Sequence, residues 1–69
     1  MQSIKLKEDF IKLGQALKVA GLVSSGVEAK VVIQEGLVKV DGVVETRRGK
    51  KLSGGESITF NSHEIKIEK

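Results

Sequence analysis

The sequence predicts an α+β fold in which a two-helix corner packs on a small, mostly antiparallel sheet. Three observations carry this. The apolar residues switch from helical to alternating spacing near Gly36, both helical stretches end at a glycine, and Asp41-Gly42 separates two valine-rich runs as a hairpin turn does. At 69 residues the chain has material for one compact domain, residues 1–69, with a small core.

Ser3-Ile4-Lys5-Leu6-Lys7 alternates polar and apolar and reads as a short strand, half-buried through Ile4 and Leu6. Glu8 and Asp9 then put negative charge where a helix should begin. Phe10, Leu13, Leu17 and Ala20 follow at spacings of three, four and three, one face of a helix over residues 10–20, with Lys12 and Lys18 off that face. Gly14 inside this helix costs on the order of 1 kcal/mol against alanine. It otherwise permits a close approach by another backbone. Gly21 is the expected C′ residue.

Leu22-Val23 links this helix to a second. Ser25-Gly26-Val27-Glu28 has capping-box spacing: the Ser25 hydroxyl accepts from the Glu28 amide, and the Glu28 carboxylate reaches back. The second helix runs to about Glu35 and stops at Gly36. Val27 and Val31, with Val32 and Ile33, are expected to face inward, and Lys30 and Gln34 share a wetter face. So short a link makes the two helices a corner or hairpin.

The remainder reads as β. Leu37 to Val40 and Val43 to Thr46 flank Asp41-Gly42, whose residues suit the two positive-φ positions of a type I′ turn. Arg47-Arg48-Gly49-Lys50-Lys51 is a basic run, and Leu52 anchors the chain again. Ser53-Gly54-Gly55 is a turn, residues 56–60 a strand, Asn61-Ser62 a turn, and residues 63–67 a strand with Ile65 and Ile67 inward.

Composition narrows the function. Without cysteine there are neither disulfides nor thiolate metal sites, and the single histidine, His63, leaves too few ligands for an ordinary zinc centre. Two phenylalanines and neither Trp nor Tyr make the core aliphatic. Twelve Lys and Arg against nine Asp and Glu give a net charge of +3, mildly favouring an anionic partner. No apolar run could be a signal peptide or span a membrane, so the expected location is the cytoplasm. Glu8, Asp9 and Glu28 read as helix-start charges, and His63 has no nearby nucleophile. Gly54-Gly55 lacks both the Lys-Ser/Thr and the following helix of a phosphate loop. A non-catalytic protein without cofactor is expected.

Three places could hold an anion. Arg47, Arg48, Lys50 and Lys51 supply charge-assisted hydrogen bonds to phosphate around a flexible Gly49, although such a run is as often a solvated loop. Ser25 and Gly26 present free amides at a positive helix end, with Lys30 one turn on, although an ordinary cap explains them alone. Lys39 stands beside the Asp41-Gly42 turn, which by itself is only a well-made hairpin. Their order lets a helix end, a helix face and a turn share one surface, matching the separated phosphates of an A-form helix.

The decade Ile33-Gln34-Glu35-Gly36-Leu37-Val38-Lys39-Val40-Asp41-Gly42 resembles the Ile-x-x-Gly-x-Val-x-Val-Asn-Gly pattern of the S-four RNA-binding domain family, the alpha-L motif, with Asp41 in the Asn place. Ser25 to Lys30 is similar to that family's Ser-Arg-x-x-Ala-Arg, with Gly26 in the first Arg slot and Lys30 in the last. Lys12-Leu13-Gly14 falls where the family has Arg-Leu-Asp, and Leu52-Ser53-Gly54-Gly55-Glu56-Ser57-Ile58 looks like its Leu-x-x-Gly-Asp-x-Ile ending. The resemblance covers residues 10–60, and the run Arg47 to Lys51 resembles the short, free-standing bacterial members of YaaA type. It implies a monomer that binds structured RNA, foremost ribosomal RNA during ribosome assembly, with ribosomal proteins as further partners. Lys12, Ser25, Gly26, Lys30, Lys39, Arg47, Arg48, Lys50 and Lys51 would be the contacting residues. The rival reading is a protein-interaction adaptor that docks a partner through its apolar hairpin edge. A DNA-reading helix-turn-helix is weaker, because the second helix offers a major groove only Lys30 and Gln34.

Overall fold

Residues 2–69 are described by the computed structural model. Strand β1 (Gln2–Lys5) leads into a loop and a two-residue strand β2 (Ile11–Lys12), then helix α1 (Leu13–Val19) and helix α2 (Gly26–Gln34). Strands β3 (Val38–Val40), β4 (Val43–Val44), β5 (Lys51–Leu52), β6 (Ser57–Phe60) and β7 (His63–Glu68) complete the fold. The main sheet has the order β1-β7-β6-β3-β4 and is antiparallel except for β1, which runs parallel to β7. β2 and β5 form a separate antiparallel pair. The expected two-helix corner on a mostly antiparallel sheet is therefore the observed architecture.

Both helices end in the same way. Gly21 and Gly36 each take φ +77°. At α1 the Gly21 amide donates to Lys18 O and the Leu22 amide to Leu17 O; at α2, Gly36 donates to Ile33 O and Leu37 to Val32 O. These paired bonds are Schellman caps, and they satisfy carbonyls that the helices leave open. The Asp41-Gly42 turn also forms as expected, with φ values of 52° and 82°. Its Asp41 carboxylate oxygen accepts from the Ser57 amide at 3.0 Å, tying the turn to β6.

The core lies between the helices and one face of the sheet. Leu13 and Leu17 of α1 and Ala29 and Ile33 of α2 meet Val38, Ile58, Ile65 and Ile67 of the strands, with Leu52 beneath, and all are fully buried. Aliphatic burial contributes roughly 25 cal/mol per Å² of apolar surface. Packing of this kind outweighs the weak intrinsic preferences of helices this short.

Three expectations need correction. Helix α1 begins at Leu13, not at Phe10, because Ile11 and Lys12 are drawn into pairing with Leu52 and Lys51. Glu8 and Asp9 consequently lie outside its first turn, and Phe10 is exposed rather than on the core face. On α2, Val27 and Val31 point to solvent, at 73% and 50% exposure, while Ala29 and Ile33 take the core. The helix is apolar on most of its circumference, so periodicity alone does not choose the buried side. The small Ala29 does, because it lets α2 approach α1 at Gly14. Finally, the capping box is shifted. Ser25 Oγ accepts from the Glu28 amide at 3.1 Å as expected, but the Glu28 carboxylate reaches the amide and hydroxyl of Ser24, at 2.6 and 3.0 Å.

Gly42→Val should lower the unfolding free energy by about 1–3 kcal/mol, the usual cost of holding a branched side chain at positive φ. Urea unfolding of wild type and variant measures this directly; equal midpoints would show that the turn tolerates the Cβ.

Candidate functional site

The basic run folds into a clasp. Glu45 extends the β3–β4 hairpin by donating its amide to Val38 O at 3.0 Å. Its carboxylate then takes the Arg47 guanidinium in a two-pronged grip, Nε to Oε2 at 2.9 Å and Nη2 to Oε1 at 3.1 Å, and accepts the Arg47 amide at 3.0 Å. The Arg47 side-chain bond, aided by that amide, holds the Glu45 carboxyl at about 2, against an ordinary value of 4.5. The Arg47 guanidinium is correspondingly raised by its bond to Glu45. This is the one ion pair among the described residues, so Arg47 is the cation of the run whose charge is locally answered.

Beyond Arg47 the chain turns, Lys50 donating its amide to Arg47 O at 3.2 Å, and lies across the start of α1. The N-cap position of α1, Lys12, makes no side-chain cap bond. Instead the loop supplies the acceptors: Leu13 donates to Lys50 O at 2.9 Å and Gly14 to Arg48 O at 3.1 Å. Two of the amides that every helix start leaves open are thus satisfied by tertiary contact.

This arrangement walls a surface cleft of about 290 Å³. Helix α1 and its N-cap contribute Lys12, Gly14, Gln15 and Lys18, α2 contributes Gly26 and Ala29, and the loop contributes Arg48 and Gly49. No carboxylate lines it. Lys12, Lys18 and Arg48 are exposed and have no ion-pair partner among the described residues. At the start of α2 the Ser25 hydroxyl is engaged by the Glu28 amide, and among the described residues no hydrogen bond uses the amides of Gly26 or Val27. Glu28 turns its carboxylate back to Ser24, whose amide and hydroxyl hold its pKa below the ordinary value. A cleft edged by three cations and an open helix start attracts an anion with oxygen acceptors, phosphate above all.

Of the nine residues singled out from sequence, Lys12, Gly26 and Arg48 line this cleft. Ser25 adjoins it as the cap of α2. Lys30 lies one turn along α2 and is exposed. Lys50 is half-buried in the loop, and Lys51 places its Nζ over the Phe10 ring, 4.8 Å from the centroid. Lys39 is set apart: its strand neighbours Val38 and Val40 face the core, so it projects from the opposite side of the sheet, beside Val44 and Thr59. Sequence reasoning missed Gln15 and Lys18 as cleft residues. Their spacing from Gly14 on one side of α1 was a usable signal once Gly14 was suspected of a close approach.

The Glu56 carboxylate is structural. Partial burial would raise its pKa, but the Ser53 and Gly54 amides donate to it at 3.0 and 2.8 Å and keep it below the ordinary value.

Comparison with known proteins places the chain. The profile of the S4 domain family matches residues 4–68. The protein YbcJ of Escherichia coli (strain K12) is 41% identical over 61 residues, spanning 88% of this chain and 87% of its own. A tyrosine--tRNA ligase of Burkholderia lata is 41% identical over 56 residues, which make up 81% of this chain but 14% of the ligase. The solution structure of YbcJ from E. coli, described as revealing an alpha-L motif involved in RNA binding, superimposes with a TM-score of 0.77 at 38% identity, covering all of this chain and 89% of that one.

A carboxyl whose folded pKa is depressed stabilises the fold above its unfolded value, and the contribution disappears as pH falls through the folded value. Thermal stability should therefore decline between about pH 4.5 and pH 2. Glu45→Gln should show a shallower decline over that interval in melting experiments from pH 6 to pH 2. An identical profile for both proteins would mean that the clasp contributes nothing to stability.

Proposed function

The chain belongs to the S4 domain family, and from that membership and the cleft we propose that it binds structured RNA without catalysing a reaction. The observation that carries this reading is the convergence of Lys12, Lys18 and Arg48 on one cleft that no carboxylate lines. Phosphates of an A-form helix are spaced so that separated cations engage them one by one, and shape rather than base sequence is then read. The finer reading is a monomeric, single-domain, cytoplasmic protein that binds ribosomal RNA during ribosome assembly, with ribosomal proteins nearby. It is supported by the family resemblance.

The second reading is an adaptor that docks a protein through the hairpin. It draws on β4, the edge strand of the main sheet, where Val43 and Val44 are 69% and 48% exposed. Its affinity would come from apolar burial and respond weakly to salt, whereas phosphate contacts release counterions.

A fluorescence-anisotropy titration of a structured ribosomal RNA fragment at several salt concentrations separates the two. Three neutralised phosphates predict a slope of roughly −3 for log K against log salt. Lys12→Ala and Lys18→Ala should each flatten it by about one, with similar loss across RNA sequences. Lys39→Ala, on the far side of the sheet, should leave it unchanged. Folding should shift by no more than about 0.5 kcal/mol in each case. A flat salt response in wild type would favour the adaptor.

A further inference from the structure

We infer that Gly14 is a positioning residue for Arg48: its missing Cβ is the space that lets this arginine lie across α1 and offer its guanidinium to an RNA phosphate in the cleft. The inference rests on the RNA-binding reading and adds to it a residue that itself donates nothing to RNA.

A Cβ on Gly14 would stand 2.7 Å from Arg48 Cγ and 3.3 Å from Arg48 Cδ, with Ala29 Cβ at 3.7 Å on the other side. Contacts at 2.7 Å between carbons lie deep in the repulsive region, so Arg48 would have to move. Cγ sits near the root of the side chain, and with the backbone held only a change of χ1 moves it, which swings the guanidinium away as a whole. The backbone offers no easy alternative. Gly14 N to Arg48 O at 3.1 Å and Leu13 N to Lys50 O at 2.9 Å pin the loop to the helix start. Retreat of the loop would strip two helix amides of their acceptors.

Gly14 is not there for its backbone, because its φ is not among the positive values of this chain. On helical preference alone, alanine is the better residue at a helix position. The glycine is therefore explained by space, and the space is filled by Arg48. Nor can the neighbouring arginine take over, since Arg47 is held in the two-pronged grip of Glu45. The two adjacent arginines have divided tasks, Arg47 closing the clasp and Arg48 facing the cleft.

The test is a double-mutant cycle on the full chain with Gly14→Ala, Arg48→Ala and both together, read by melting temperature and by the salt dependence of binding to a structured ribosomal RNA fragment. Gly14→Ala should flatten the salt slope by about one, as Arg48→Ala does, and the double variant should be no flatter than Arg48→Ala alone. Melting supplies a readout without RNA. Gly14→Ala should raise the melting temperature more in the Arg48→Ala background, where the space is vacant, than in wild type. A wild-type slope for Gly14→Ala overturns the inference, and so does a loss of equal size with and without Arg48, because that would be an effect on the fold at large. Failure of the wild type to bind RNA overturns the functional reading and the positioning role with it. The melting cycle would still show whether the two side chains compete for one space.

Discussion

The start of α1 has no cap of its own, and most of what distinguishes this protein follows from how that deficit is met. Four amides at a helix start seek acceptors, and here Lys12 occupies the N-cap position without offering one. The carbonyls of Lys50 and Arg48 come across from the loop after β4 and accept from Leu13 and Gly14. That contact continues the pairing of Ile11 and Lys12 with Leu52 and Lys51, and together they set where the helix begins. It also holds a run of four cations against the helix corner instead of leaving it as a solvated tail. Binding groups held in place before a ligand arrives avoid part of the ordering cost that a flexible basic loop would incur.

Charge is distributed to the same end. A net charge of +3 is too small to make the whole surface attractive to a polyanion. Local arrangement matters more. Glu45 neutralises Arg47 and uses it to close the loop, while Glu28 is turned back to Ser24 and Glu56 is absorbed by the turn before β6. Each of these carboxylates is committed to a structural bond and none lines the cleft between the helix starts, so Lys12, Lys18 and Arg48 stand there without an opposing charge. Asp41 follows the same pattern, its carboxylate accepting from Ser57 just as an asparagine carbonyl would.

Much of the fold was legible because its signals are local. Gly21, Gly36 and Gly42 occupy positive-φ positions that the surrounding residues announce, and the alternation around Ile65 and Ile67 marks a strand with one wet face. Where the signal was ambiguous, packing chose. Val27, Ala29, Val31 and Ile33 are all apolar, and the buried pair turned out to be the one containing the smallest side chain, because α1 must come close. Phe10 read as the first residue of a helical stripe, yet strand pairing of the next two residues, Ile11 and Lys12, moved the helix start and left the ring at the surface under Lys51.

For the site, the sequence by itself determined the inventory: which cations exist, which helix end carries serine and glycine, and that a basic run follows a hairpin. It also carried the suspicion that Gly14 marks a close approach. Only the tertiary structure decided the partners. Whether an arginine faces solvent or a carboxylate depends on where a loop is pinned, and that rests on amide–carbonyl bonds between residues more than thirty positions apart, as between Gly14 and Arg48. Spacing along a chain encodes neighbours on one helix or strand. It does not encode which distant backbone carbonyl will fill an empty cap, and here that one contact separated Arg48, which lines the cleft, from Arg47, which braces it.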